Sequence, residues 1–162
     1  MKKNKKSGRR ITREKVLQVL YAYELNRDGL EALIDGNLSD LSNQTDKDFA
    51  RSLIDKTIIH SKDFDEEIVA RTNNWDLKRI ALIDRILIRM GMCELLFFPE
   101  IPPKVTFNEV IEISKSFSTA NSGKFINGVL DSYLDFLKTN NKLNKSGRGL
   151  IEESITKNDS VE

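Results

Sequence analysis

Residues 101–131, IPPKVTFNEVIEISKSFSTANSGKFINGVLD, decide the fold. Pro102-Pro103 enforces an extended break. Thr106-Phe-Asn-Glu109 then has the form of a capping box, in which the threonine hydroxyl serves the amide of Glu109 and that carboxylate reaches back. Val110, Ile113 and Phe117 follow at helical spacing. After a polar turn, Phe125, Ile126, Val129, Leu130, Tyr133, Leu134 and Leu137 resume the same period. The stretch therefore predicts two helices, the second from about Ser122 to Lys138, joined by an elbow. Lys115, Asn121, Ser122, Lys124 and Phe125 lie on or beside it.

The same period recurs outside this stretch. Thr12 can cap a first helix with Val16, Leu17, Leu20, Tyr21 and Leu25 inward, ended by Arg27-Asp28-Gly29. Residues 30–44 are polar and turn-rich, with room for one short helix before Gly36. Thr45 or Asp46 caps a segment carrying Phe49, Leu53, Ile54 and Ile58. Ser61 opens another, with Phe64, Ile68 and Val69. From an Asp76 cap, residues Leu77 to Phe98 are apolar nearly all round, which marks a helix buried on several sides. No alternating run bounded by hairpin turns is present. The fold class is all-α, with about seven helices. The chain divides into a flexible basic arm (1–8), an all-helical domain (9–139) and a tail (140–162) expected to be disordered because it has too few apolar residues to pack.

With 162 residues, the chain buries enough surface for a core without disulfides or metal. Its single cysteine, Cys93, fits a reducing cytoplasm. The most apolar run, Met90 to Phe98, is too short to span a bilayer and contains Glu94, so no membrane association is expected. The net charge of +1 hides an asymmetry: residues 1–15 hold eight basic groups and one acid, whereas residues 16–140 hold 14 basic and 20 acidic groups. Arg9, Arg10 and Arg13 carry the basic arm directly into a helix, and such charge attracts phosphates without reading sequence.

Catalytic patterns are missing. His60 is the only histidine, which excludes a multi-histidine metal site, and its place at a helix end suits the dipole. No Walker-type loop or GxGxxG fingerprint occurs. The residues thus point to a binding protein with no enzymatic activity, no cofactor and no metal. The elbow has the chemistry for unpaired RNA: Lys115 and Lys124 for phosphates, Asn121 and Ser122 for hydrogen bonds, Phe117 and Phe125 for stacking. Both phenylalanines also read as core, and Asn127-Gly128 also reads as a tight helix–helix contact.

Arg13-Glu-Lys-Val-Leu-Gln18-Val-Leu20-Tyr21, the Trp75–Leu96 helix with Arg89 and Glu94-Leu95, and above all Pro102 through Asn108-Glu109, Lys115-Ser116-Phe117 and Lys124-Phe125-Ile126-Asn127-Gly128-Val129-Leu130-Asp131 resemble the NusB family of transcription antitermination factors. The resemblance covers roughly residues 9–138. It implies two roughly perpendicular three-helix lobes. It also implies binding of boxA RNA in ribosomal RNA leader transcripts, together with the ribosomal protein NusE, within an RNA polymerase antitermination complex. Carried onto this chain, Arg9, Arg10, Arg13, Asn121, Ser122, Lys124 and Phe125 would face RNA, Gln18 and Tyr21 would lie near both ligands, and Asp84 would meet NusE. Asn121 stands where some members carry aspartate, which removes a negative charge beside RNA. A homodimer is compatible with the resemblance. Two other readings are a helical protein–protein adaptor without RNA, and a NusB-like module of ribosomal RNA methyltransferases; the second would need an α/β region that this chain ends without.

Overall fold

The computed structural model describes residues 7–73 and 75–150. Among them the fold is all-α, with seven α-helices, two short 3-10 turns and no strand. Two compact units divide the chain, one ending at Ile59 and one beginning at His60.

The first unit holds α1 (Gly8–Asn26), α2 (Leu30–Leu38) and α3 (Gln44–Ile59). Ser7, and not Thr12, caps α1: its hydroxyl accepts the Arg10 N–H at 3.1 Å. Thr12 instead lies buried inside the helix and donates to the Gly8 carbonyl at 2.9 Å. The expected arm of residues 1–8 therefore ends earlier, with Ser7 and Gly8 already part of a capped helix, and residues 1–6 lie outside the described residues. Arg27, left-handed at φ 55°, closes α1 through its N–H to Tyr23 O at 2.7 Å. Gly29, also at positive φ, completes the reversal into α2. The short second helix runs through Gly36 to Leu38. Asn43 Oδ1 accepts the Thr45 N–H at 2.8 Å, so the start of α3 is held one turn-residue earlier than the Thr45–Asp46 signal indicated. Val16, Leu17, Leu20, Ile34, Phe49 and Leu53 are among the buried residues of this unit.

The second unit holds α4 (Ser61–Arg71), α5 (Leu82–Phe97), α6 (Pro103–Phe117) and α7 (Ser122–Thr139). It therefore has four helices where three were expected. In it α5 is central, packed against α4, α6 and α7, and Ile86 through Leu95 are buried without interruption. The all-round apolar pattern demanded this. The long Leu77–Phe98 helix is corrected: Asp76 caps only a 3-10 turn, Leu77–Arg79, by accepting the Lys78 N–H at 3.0 Å. Ile80 and Ala81 are then extended, and α5 starts afresh at Leu82.

The capping box is also corrected. Pro103 takes the first helical position of α6, where its fixed φ is favourable and its missing N–H costs nothing. Thr106 is consequently inside the helix, fully buried, and donates to the buried Glu94 Oε1 at 3.0 Å.

The tail is corrected as far as Leu150. Asn141, left-handed at φ 54°, ends α7, with its N–H on Lys138 O and the Lys142 N–H on Leu137 O; this is a Schellman closure. The chain then docks over the end of α5. Lys145 Nζ donates to the carbonyls of Glu94 (3.2 Å) and Phe98 (2.9 Å), and Ser146 N–H donates to Pro99 O at 3.0 Å. Backbone and lysine contacts hold this strap, so an apolar count does not detect it. Residues 151–162 lie outside the described residues.

Candidate nucleic-acid interface

The elbow between α6 and α7 is built on Asp84, in the first turn of α5. Ser118 Oγ donates to Asp84 Oδ1 at 2.6 Å and Ser122 Oγ donates to Asp84 Oδ2 at 2.9 Å. The two serine hydroxyls are 2.9 Å apart, and Thr119 Oγ1 is 3.0 Å from Ser122 Oγ. Both carboxylate oxygens are thus taken by hydroxyl donors, and bonds of this charged kind are the strong ones. Asp84 is only 7% exposed and Ser122 3%. Ser122, expected to hydrogen-bond RNA, is therefore a buried fastener of the turn. Asp84, expected at a protein partner, has the same task within its own unit.

The fastened elbow leaves Asn121 and Lys124 exposed and Phe125 half-buried. Two grooves flank Phe125. One, of about 260 Å³, is lined by Trp75, Arg79, Ala81, Thr119, Asn121 and Phe125. The other, of about 240 Å³, is lined by Arg71, Thr72, Trp75, Lys124, Phe125 and Gly128. Trp75, 51% exposed, borders both. Trp75, Arg71 and Arg79 were not among the expected contact residues; Trp75 sits between helices and carries no periodic signal. Arg71 is held from behind: its guanidinium carbon lies 5.1 and 4.8 Å from the ring centres of Tyr133 and Phe136, and it pairs with Glu67.

Lys115 lines neither groove; it is exposed and pairs with Glu112 at 2.6 Å. Phe117 is half-buried and also lines neither. The close helix contact expected at Gly128 is found at Gly91, where a Cβ would come within 2.8 Å of a Leu130 methyl. A Cβ on Gly128 would meet nothing within 4 Å.

In the first unit, Phe49 receives two guanidinium groups, Arg9 at 4.1 Å and Arg13 at 5.2 Å from the ring centre. Arg9 also pairs with Asp46 at 3.2 Å. Arg13 is 2% exposed, which corrects its expected role as a surface phosphate contact: it shares the inward face of Val16, Leu17 and Leu20. Arg9 and Arg10 are half-buried. Gln18 and Tyr21 are exposed on α1, as are Ile11 and Leu25.

Other chemistry is sparse. His60 stacks on Phe97 with ring centres 4.5 Å apart. Among the described residues no cluster of His, Cys, Asp and Glu could hold a metal ion, and no helix is long and apolar enough to cross a membrane.

Comparison with known proteins agrees with the motif reading. The NusB family profile matches residues 10–135. The "Transcription antitermination protein NusB" of Salinibacter ruber (strain DSM 13855 / M31) is 45% identical over 150 residues, covering 90% of this chain and 92% of the relative. Among solved structures, NusB of T. maritima superposes with a TM-score of 0.73 at 34% identity, over 81% of this chain and 92% of that one. A structure of the antitermination factors NusB and NusE in complex with dsRNA has a TM-score of 0.71 at 24% identity, over 79% of this chain and 96% of that one; at that identity it speaks for the fold. The chain belongs to the NusB family.

Proposed function

We propose that this chain is a transcription antitermination factor that binds boxA-type RNA of ribosomal RNA leader transcripts together with the ribosomal protein NusE. The observation that carries the RNA reading is the elbow fastened by Asp84, which leaves Asn121, Lys124 and Phe125 at the surface beside two grooves of about 240 and 260 Å³. Unpaired RNA is recognised by this combination of stacking faces, amide groups and cations. Arg9 and Arg10, at the entry of α1, supply charge for phosphates. Lys115 contributes the same once it leaves Glu112. The naming of the S. ruber relative supports the antitermination role, and the same fold occurs with NusE and dsRNA in a solved assembly.

Gln18 and Tyr21 belong to an exposed face of α1 that also carries Ile11 and Leu25. Apolar side chains spaced at helical intervals on an exposed face suit a protein partner. NusE is the partner assigned to that face, and a second copy of the chain is its competitor. On this reading the protein works in the cytoplasm, as a non-enzymatic component of the RNA polymerase antitermination complex.

The test is a titration of labelled boxA RNA with the full-length protein, with and without NusE. The expected result is preferential binding over a scrambled strand, strengthened by NusE. Equal binding of both strands in both conditions would overturn the proposal.

A further inference from the structure

We propose that Trp75 and Phe125 form one two-sided wall on which two successive bases of an unpaired RNA strand stack, one in each groove, with Gly128 left bare so that one base can lie against α7. The inference rests on the RNA-binding reading above and assigns its base-recognition surface.

Four observations carry it. First, Trp75 is the only tryptophan of the chain and stands half out of the protein, although burying so large a ring is favourable. Local bonds hold its backbone there: Trp75 N–H donates to Thr72 O at 3.1 Å, and Asp76 caps the turn that follows. Second, both grooves share Trp75 and Phe125 as lining. At about 240 and 260 Å³, each is smaller than the roughly 300–1,000 Å³ that encloses a drug-sized ligand, which suits a single planar base.

Third, the charge is complementary to a phosphate backbone. Lys124 borders one groove and Arg79 the other; both are exposed, and among the described residues neither is in an ion pair. The one carboxylate among the residues lining the two grooves, Asp84, has both oxygens occupied by Ser118 and Ser122. Fourth, Gly128 lies in the interior of α7, where glycine weakens a helix relative to alanine. Gly91 has a packing reason to be glycine, because Leu130 fills the space beside it. Gly128 has none within the protein. Close approach of a ligand to the helix backbone is the use that remains.

The experiment follows the emission of Trp75 while the full-length protein is titrated with a boxA-type oligoribonucleotide, alongside the same sequence as a duplex and as single-stranded DNA. Anisotropy of a labelled copy reports total binding. Quenching by the unpaired RNA and not by the duplex is expected, and weaker quenching by the DNA strand. Trp75→Leu should weaken binding roughly ten-fold, in line with stacking of one base. Gly128→Leu should keep the helix content and melting of the parent protein while losing most of the quenching.

Labelled RNA that binds with Trp75 emission unmoved, or binds both variants as tightly as the parent, would overturn the stacking wall and leave the antitermination reading standing. Failure of the parent protein to bind boxA RNA even with NusE would overturn both.

Discussion

Ser122 Oγ donates to Asp84 Oδ2 at 2.9 Å across 38 residues of sequence. With Ser118 on the other oxygen, this contact joins the start of α5 to the start of α7 and sets the direction in which the elbow points. Removing the carboxylate leaves two hydroxyls without their acceptor. Asp84→Ala is expected to cost about 2–3 kcal/mol, and Asp84→Asn, which retains one oxygen, about 1 kcal/mol. Urea denaturation measures both. A loss below the error of the method for Asp84→Ala would show that the elbow stands without it. Asp84→Lys would loosen the same turn, so a lost protein contact in that variant reports the elbow and not a direct meeting of side chains.

Arg10 and Arg13 should separate by what they lose. Arg13, buried over Phe49, is expected to cost about 1–2 kcal/mol of stability when changed to alanine, through lost packing and a desolvated cation–π contact. Arg10→Ala should melt like the parent. On a single strand it should instead lower the log–log salt slope of RNA binding by about 0.7, the share of one phosphate. Thermal melts and salt titrations of both variants give the two readouts; an unchanged slope for Arg10→Ala would remove that residue from the RNA contact.

Two glycines should respond in opposite directions to the same substitution. Gly91→Ala places a methyl 2.8 Å from a Leu130 carbon, and such overpacking costs about 1–3 kcal/mol. Gly128→Ala enters open space and should stabilise by about 0.5–1 kcal/mol, the ordinary helix preference for alanine. Denaturant midpoints compare them directly.

Gly149 fastens the strap after α7. It is buried, and a Cβ there would lie 2.0 Å from the Pro99 carbonyl oxygen. Gly149→Ala should free residues 140–150 while leaving α5 to α7 folded. Hydrogen exchange is the measurement: faster exchange at Ser146 with unchanged rates at Ile88 and Leu130 is expected.

The strap should also respond to pH. Burial pushes the Lys145 ammonium down to about 8, so the unfolded chain, where an ordinary lysine titrates near 10.4, holds more protons between those values. Stability contributed by Lys145 therefore rises as pH climbs from about 8 toward 10.4, and is flat below 8. The parent protein should gain stability over Lys145→Met in that window, as melts from pH 7.5 to 10 would show. A difference between the two that does not move with pH would refute the assignment.

What the sequence determined by itself were the helices and the elbow, because both are written in neighbours three and four residues apart. The inward faces of α5, α6 and α7 followed from that period, and the polar run around Asn121 marked the turn. Even the burial of Arg13 was legible, since it lies in phase with Val16, Leu17 and Leu20; its charge drew the reading to the surface instead. Tertiary structure alone decided that Asp84 holds Ser118 and Ser122, that Trp75 stands beside Phe125, that Gly91 and not Gly128 is the close contact, and that Lys145 returns to the end of α5. A helical period says which side chains share a face. It does not say which distant segment covers that face, and the groups that meet there come from parts of the chain whose spacing carries no period.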